Sequence, residues 1–473
     1  MERLRAQLAD PNHSACLSSS QLALLVRFID ELDLAPGGDC EPLARLTHDQ
    51  IQAALAVDIT AQPAQDRPFL RYFSLSYASN AGVCGQELER ERLALFEAVN
   101  AVSTARQLRL PAAIDAQAVL YRIDLRDYGW DRPIDLGEEP PQLYADGWLA
   151  IVAGLSALEL TGPQADVVTR WSGTHVPLLQ ADFFIQLALQ ASLYYALTGL
   201  PASSSREESL FDLLRAQGVE LQAPAPGNVA RAGFALSPGS EEAKRVSRFV
   251  PAGSPDTPWW LLDQGSDLLR QPLLPFQGGY FLYRLPNGMP AFAVAQQQGR
   301  VLAQAPYNSF EFSSPTGAIV GAGCFGCHGA GVIAVPDEVR PLALQQPQRF
   351  ENSAAVLVEY LGAAALEQAT EFDNMTFVAA RRGAGVLAAT PDPISRVFQR
   401  FSFAGVSLPT AAGELGVTPD ELLAVLPLLD HGLASLGAKD ASVDRSRWQQ
   451  SYHDAACRLS TGWQNQPVNC KLR

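Results

Sequence analysis

The spacing of apolar and polar positions along the chain indicates mostly helices. From Gln86 to Ala101, apolar residues three and four positions apart lie opposite a charged face, which predicts an amphipathic helix. The apolar stretch from Leu178 to Leu200 is interrupted by glutamine and aspartate and predicts a buried helix. The sequence Thr418-Pro419-Asp420-Glu421 is typical of a capping box and predicts a helix that starts there.

Fewer segments have the alternation of a strand. Ala118 to Leu125 alternates apolar and polar residues and predicts one short strand. Three further runs predict a three-stranded meander, with Asn287-Gly288 as the turn of its first hairpin: Gly279–Leu285, Pro290–Ala295 and Arg300–Ala305. We interpret the Pro- and Gly-rich stretch 223–239 as a boundary or long loop, and Trp259-Trp260 as core packing. The predicted fold is therefore mainly α, with a small antiparallel β meander.

These shifts in composition suggest three contiguous domains. Residues 1–65 form an N-terminal helical segment, residues 66–222 a helical domain with a short strand, and residues 223–473 a domain that holds the meander and C-terminal helices. The formal net charge of −15 argues against nucleic-acid partners, which require clustered lysine and arginine. No run of about 18 apolar residues is present, so we predict no transmembrane segment.

The strongest chemical signal is the sequence Cys324-Phe325-Gly326-Cys327-His328, which directly follows the meander region. Two thiols separated by two residues can form thioether bonds to one porphyrin, and the adjacent histidine can bind its iron. The motif therefore predicts one covalently attached c-type haem, with Cys324 and Cys327 as attachment sites and His328 as iron ligand. Residues 223–473 are accordingly predicted to be the c-type haem domain. Glycines 323, 326, 329 and 331 are interpreted as positions where the backbone approaches the flat macrocycle.

A zinc site or a redox dithiol fits the two cysteines less well. A structural zinc site needs two more Cys or His at similar spacing, and the next cysteines towards the C-terminus are Cys457 and Cys470. A thioredoxin-like dithiol requires a βαβ context and has no histidine directly after the second cysteine. Chance occurrence is the remaining alternative.

The sixth iron ligand is left open by the sequence. We select Met375, because it follows the motif as the methionine ligand does in small cytochromes c. Met289 stands in a similar local sequence but precedes the motif. The other candidates are His175, His431 and His453, or an open or water-bound iron.

Disulfide pairing among the five remaining cysteines would fit an oxidising compartment. Cys457 could pair with Cys470 and Cys16 with Cys40, which would leave Cys84 over, although five thiols remain the alternative. The sequence Met1 to Arg5 lacks the apolar region of a secretory leader. Because haem attachment to this motif takes place outside the cytoplasm, we infer a periplasmic or otherwise extracytoplasmic protein whose leader is absent from this numbering. The rival hypothesis is a motif that is never matured.

The chain also resembles a group of large bacterial proteins with a single CxxCH motif, usually described only as cytochrome c domain-containing. The landmarks that carry the resemblance extend over most of the chain: Arg71-Tyr72-Phe73-Ser74-Leu75, Asn80-Ala81-Gly82, Tyr121 to Trp130, Ala181-Asp182-Phe183-Phe184, Leu285-Pro286-Asn287-Gly288, Cys324 to His328 and Asp337-Glu338-Val339-Arg340. The resemblance implies one haem per chain, a predominantly helical fold and a location in the cell envelope. It implies no established reaction. Met289 departs from the family, which usually has an aliphatic residue there.

Three functions follow from these observations. The favoured one is a mono-haem carrier that transfers electrons to a redox partner, with a six-coordinate iron. The second is a haem enzyme or sensor, peroxidase-like or gas-binding, with an open sixth site and a distal acid–base group. Bacterial c-type peroxidases typically carry two CxxCH motifs and this chain has one, which favours the carrier over an enzyme. The third is a structural or partner-binding protein that haem stabilises.

Overall fold

The structure is a computed structural model. It describes residues 40–136, 142–153, 163–200, 209–216, 219, 221, 229–235, 243–250, 258–263, 271–276, 278–302, 320–329, 331–386, 392–429, 431–439 and 441–460. Cys16, Cys470 and the end of the third predicted meander strand lie outside these residues, as do the side chains of Cys327, His431, His453 and Cys457.

The described α-helices are, in chain order, α1 His48–Ala61, α2 Ser76–Asn80, α3 Gly85–Ala101, α4 Gly147–Ile151, α5 Pro163–Ser172, α6 Ala181–Ala188, α7 Ala191–Thr198, α8 Leu210–Ala216, α9 Ala322–His328, α10 Val339–Gln345, α11 Ser353–Glu359, α12 Ala363–Gly383, α13 Pro393–Phe403, α14 Leu408–Glu414, α15 Pro419–Val425 and α16 Arg445–Ser460. Short 3₁₀ helices span Arg67–Phe69, Leu125–Tyr128, Pro347–Arg349, Leu426–Leu428 and His431–Gly437. The amphipathic helix predicted from Gln86 to Ala101 is confirmed as α3. The capping box at Thr418 and Glu421 is confirmed at the start of α15.

The described strands are β1 Leu70–Ser74, β2 Ala112–Ala113, β3 Leu120–Asp124, β4 Ile134–Asp135, β5 Leu143–Tyr144, β6 Leu178–Gln180, β7 Val229–Ala235, β8 Ala243–Phe249, β9 Trp259–Asp263, β10 Gly278–Arg284, β11 Pro290–Gln296, β12 Val406–Ser407 and β13 Ser442–Val443. Among the described residues they form four sheets, with strand orders β2-β3-β1-β6, β11-β10-β9-β8-β7, β12-β13 and β4-β5. The strand predicted from Ala118 to Leu125 is confirmed as β3.

The prediction of a mainly α fold with one small β meander is wrong, because the described residues form a mixed α/β structure whose largest sheet has five antiparallel strands. The predicted hairpin at Asn287-Gly288 is present between β10 and β11. Strands β7, β8 and β9 continue the same sheet and were missed. Arg231 and Arg245 are buried in β7 and β8. Because these buried positions carry charges, the alternation of apolar and polar residues that predicts a strand is not visible in the sequence. Arg245 is paired there with Asp263 of β9.

The predicted buried helix from Leu178 to Leu200 is divided. Leu178–Gln180 forms β6, which pairs in parallel with β1, and the rest forms α6 and α7. Both helices are largely buried, as the apolar composition indicated. The strand forms because its residues complete the four-stranded sheet beside Tyr72 and Phe73, a tertiary contact that helix periodicity does not contain.

The chain divides into two compact units, each built from segments distant in sequence. The described part of the first unit comprises residues 40–48, 75–91, 396–429, 431–439 and 441–460. The second unit comprises residues 49–74 and 92–395, without the gaps given above. The three contiguous domains inferred from sequence stay a prediction.

The first unit is held together by a disulfide and by buried polar contacts. Cys40 is bonded to Cys84, with 6.1 Å between their Cα atoms. Sequence spacing had suggested Cys16 as the partner of Cys40; the structure instead brings Cys84 to it. Glu414 of α14 accepts hydrogen bonds from Trp448 Nε1 at 2.7 Å and Arg445 Nη1 at 2.5 Å. These contacts fix α16 against α14.

Candidate functional site

The CxxCH motif forms helix α9, in the second unit. Positions 324, 327 and 328 are spaced i, i+3 and i+4, so they share one face of the helix. Cys324 and His328 are partly exposed, whereas Ala322 and Phe325 on the opposite face are fully buried. The helix therefore docks through its apolar side and leaves Cys324 and His328 partly exposed on its other side.

The buried side of α9 packs on the end of α6 and on strand β11. The backbone N–H of Ala322 donates to Leu189 O at 3.2 Å. The Phe325 ring lies edge-on to Phe292 of β11, with 5.1 Å between ring centroids. These contacts anchor the motif to the five-stranded sheet.

The His328 ring is held in one orientation. Its Nδ1 lies 3.0 Å from the carbonyl oxygen of Gly331, and the Phe292 ring lies 5.9 Å from it, centroid to centroid. With Nδ1 donating its proton to that carbonyl, Nε2 keeps a lone pair that can bind a metal. Burial lowers the pKa of His328, partly opposed by the Gly331 carbonyl, so the neutral ligand form is favoured.

The glycines around the motif are required by the protein itself. A β-carbon built at Gly326 would lie 2.9 Å from Ser395 Oγ, and one at Gly329 would collide with Asp392 Oδ2. At Gly331 it would collide with Asn374, and φ there is +105°, which favours glycine. Only at Gly323, of these four, would it meet nothing within 4 Å. Close packing against α12 and α13 therefore accounts for three glycines that the sequence had suggested face a macrocycle.

Asn374 of α12 fixes the segment that follows His328. Its Oδ1 accepts from Val332 N at 2.8 Å, and its Nδ2 donates to Val332 O at 2.8 Å. The Asn374 side chain thus bonds both backbone groups of Val332, as a neighbouring strand would, and fixes the path of residues 331–332. The next residue on the helix, Met375, is 59% exposed.

The structure places the ligand candidates in different environments. Met375 lies on the exposed side of α12, one residue from the Asn374 contact. Met289 is 0% exposed at the β10–β11 turn, where its backbone pairs with Leu285. His175 is exposed in the segment between α5 and β6. Of these, Met375 is the one whose neighbouring residue contacts the segment that follows the motif.

Two tyrosines beside Cys324 were not anticipated from the sequence. Tyr194 and Tyr195 of α7 accept hydrogen bonds from the backbone N–H groups of Phe292 and Val294, at 3.0 and 3.2 Å. They thereby satisfy donors of β11, which stands at one end of the strand order of the sheet. Burial, and to a smaller extent the nearby Cys324, raises the pKa of both hydroxyls. The sequence signal that could have drawn attention to them is a pair of adjacent tyrosines within an apolar run.

The described residues fit a covalently attached haem. Cys324 is partly exposed, the hydrogen bond of His328 Nδ1 to Gly331 O leaves Nε2 as the atom that can bind a metal, and the spacing of positions 324, 327 and 328 puts them on one face of α9. This is the donor set that thioether attachment and axial ligation require. Among the described residues, no group of three or more His, Cys, Asp and Glu side chains is gathered as a metal site. Within the same residues, no helix has the length and apolarity needed to cross a membrane.

Comparison with known proteins gives no family for this chain: no protein-family model, curated protein or solved structure matches it.

Proposed function

We propose that the chain is a mono-haem c-type cytochrome that transfers electrons in the bacterial cell envelope. Cys324 and Cys327 are the thioether attachment sites and His328 is the proximal iron ligand. The observation that carries the proposal is the hydrogen bond at 3.0 Å between His328 Nδ1 and Gly331 O, on a helix whose spacing puts all three motif positions on one face. Bound haem supplies a one-electron iron couple.

The protein's own residues would orient the ligand before metal binding. The Gly331 carbonyl selects the tautomer and Phe292 limits rotation of the His328 ring. Asn374 holds Val332 and so fixes the carbonyl that His328 uses. A ligand orientation set in this way reduces reorganisation when the charge of the iron changes.

Met375 is proposed as the sixth ligand. Its thioether is exposed, and its neighbour Asn374 is bonded to the segment after His328. A six-coordinate iron with two protein ligands suits electron transfer because no exchangeable position is needed. The second function, an enzyme or sensor with an open sixth site, differs in requiring that position.

An extracytoplasmic location is part of the proposal. The Cys40–Cys84 disulfide is of the kind that persists in oxidising compartments and is rare in the bacterial cytoplasm. Cys84 is buried, which suits a structural bond. The acidic net charge of −15 suits a basic redox partner.

The test is to produce the protein with cytochrome c maturation machinery and to record its mass, its pyridine haemochrome and its spectra with and without carbon monoxide. We expect one covalent haem per chain, low-spin iron and no reaction with carbon monoxide. The single variants Cys324→Ser and Cys327→Ser are each expected to leave one thioether bond, and His328→Ala to lose proximal ligation. Absence of covalent haem in the unaltered protein overturns the proposal. High-spin iron that binds carbon monoxide would favour the alternative function, a haem enzyme or sensor.

A further inference from the structure

A buried ionic cluster lies behind the motif helix. Glu97 of α3, Arg381 of α12 and Asp392, which precedes α13, have side chains that are 0%, 4% and 6% exposed. Arg381 Nε lies 2.5 Å from Glu97 Oε1, and Arg381 Nη2 lies 3.2 Å from Asp392 Oδ2. We call these three residues the acid–arginine cluster.

The cluster contains two carboxyl groups and one guanidinium. An uncompensated charge away from water is costly, so two ionised carboxylates beside one cation would be unfavourable. Glu97 has the shorter contact with Arg381, which makes Asp392 the carboxyl better suited to carry a proton. Glu97 Oε2 has no hydrogen-bond partner among the described residues, so an acceptor is left buried there.

The surroundings support one bound proton. Burial, followed by the charge of Glu97, raises the pKa of Asp392 well above its usual range, and Arg381 only partly opposes this. Burial raises the pKa of Glu97 as well, against the charge of Arg381. Within the described part of the chain, the other groups that act on Asp392 are the backbone N–H groups of Ile394 and Ser395, and α9 brings glycines rather than charges to this side.

The cluster touches the motif helix directly. Asp392 Oδ2 occupies the space that a side chain at Gly329 would need, and Gly329 follows His328 in the chain. Ser395, whose backbone N–H donates to Asp392 Oδ1 at 2.9 Å, approaches Gly326 in the same way. Charges in such a water-poor setting interact more strongly than exposed charges do.

We propose that the acid–arginine cluster is a redox-linked proton site, in which Asp392 binds one proton more tightly when the metal centre at His328 is reduced. This inference rests on the proposed cytochrome function. When a redox partner delivers one electron, the positive charge at the centre falls by one, and the Asp392 carboxylate takes up a proton from solvent to form the neutral acid. On oxidation the electron leaves to the partner and the O–H bond of Asp392 breaks, so that the proton returns to solvent.

The decisive measurement is the midpoint potential of the haem-loaded protein as a function of pH, for the native chain and for Asp392→Asn. We expect the native potential to fall with rising pH across the titration of the cluster and the variant to lose this slope. A tenfold difference in proton affinity between the two oxidation states corresponds to about 59 mV for one electron. Asp373→Asn is the matched control, since Asp373 is a buried carboxylate on α12 that is already bonded to Arg248 and Trp260. The control is expected to keep the slope.

Infrared spectroscopy separates the possible failures. The native protein is expected to show the carbonyl band of a protonated carboxyl at neutral pH, with or without haem, and Asp392→Asn to lose it. If the band is absent, the proton site is overturned. If the band is present and the native potential does not change with pH, the coupling is overturned while the cytochrome proposal stands. If no haem is attached, the cytochrome proposal and the coupling both fail, and the infrared result still decides whether the proton is bound.

Discussion

The Asn374 side chain and the Val332 backbone are joined by two hydrogen bonds, each 2.8 Å long. Because this contact fixes the segment after His328, its loss should lower the stability of the haem-free protein. Asn374→Ala is expected to lower the free energy of unfolding by about 1–3 kcal/mol, since the backbone groups of Val332 lose their partners. Chemical denaturation of the haem-free protein measures this. Met375→Ala is the control and should change it by less than about 0.5 kcal/mol, because Met375 is mostly exposed. Equal stability of the two variants would refute the structural role of Asn374.

The two methionine candidates can be separated in the haem-loaded protein. On the proposed ligation by Met375, Met375→Ala is expected to convert low-spin iron to a form that binds carbon monoxide, because the variant lacks the sixth ligand. Met289→Leu is the matched change at a buried site and is expected to leave the spectrum intact. The reverse pattern would assign the ligand to Met289. If both variants keep the native spectrum, neither methionine is the ligand.

Close packing against the motif helix predicts opposite effects for two glycines. Gly329→Ala would place a methyl group into Asp392 Oδ2 and 2.9 Å from Phe325 O, so it is expected to destabilise the protein by about 1–3 kcal/mol. Gly323→Ala on the same segment meets open space, and it is expected to be neutral or stabilising by up to about 1 kcal/mol. Thermal unfolding of the haem-free variants gives the comparison. If Gly323→Ala is destabilised while Gly329→Ala is as stable as the native chain, the packing described for α9 is contradicted.

The Cys40–Cys84 bond closes a loop with a sequence separation of 44. For a loop of that length, the chain-entropy model gives a contribution of about 4 kcal/mol to the free energy of unfolding. The double variant Cys40→Ala with Cys84→Ala is expected to lose stability of that order in denaturant titrations. Cys16→Ala is the control, because spacing alone had suggested Cys16 as the partner of Cys40. Peptide mapping under non-reducing conditions that finds Cys16 joined to Cys40 would contradict the structure.

The acid–arginine cluster predicts a dependence of stability on pH in the haem-free protein. The folded state raises the pKa of Asp392 and of Glu97, so it binds a proton that the unfolded chain releases at ordinary carboxyl pH values. The free energy of unfolding from this cluster should therefore fall as pH rises from the ordinary carboxyl range through the raised pKa. Asp392→Asn is expected to show a smaller fall in the free energy of unfolding, so that its stability relative to the native chain improves as the pH rises. Denaturation curves across pH test this, and an unchanged pH dependence in the variant would count against the bound proton.

Features encoded over a few neighbouring residues could be predicted from the sequence. The capping box at Thr418, the turn at Asn287-Gly288 and the helix over Gln86–Ala101 depend on contacts within one turn or one hairpin. The sheet around β7, β8 and β9 could not be predicted, because Arg231 and Arg245 occupy buried positions. Their charges are tolerated there only because other strands supply partners such as Asp263.

The sequence by itself determined the chemistry that the site can offer, since the order Cys324, Cys327 and His328 puts these positions on one face of any helix that contains them. Tertiary structure alone decided what surrounds that face. Arg381 and Glu97 are 284 positions apart, Asn374 and Val332 are 42 apart, and Cys40 and Cys84 are 44 apart. Pairings of this kind depend on how separate elements pack, and packing is set by the whole buried core rather than by any local pattern of residues.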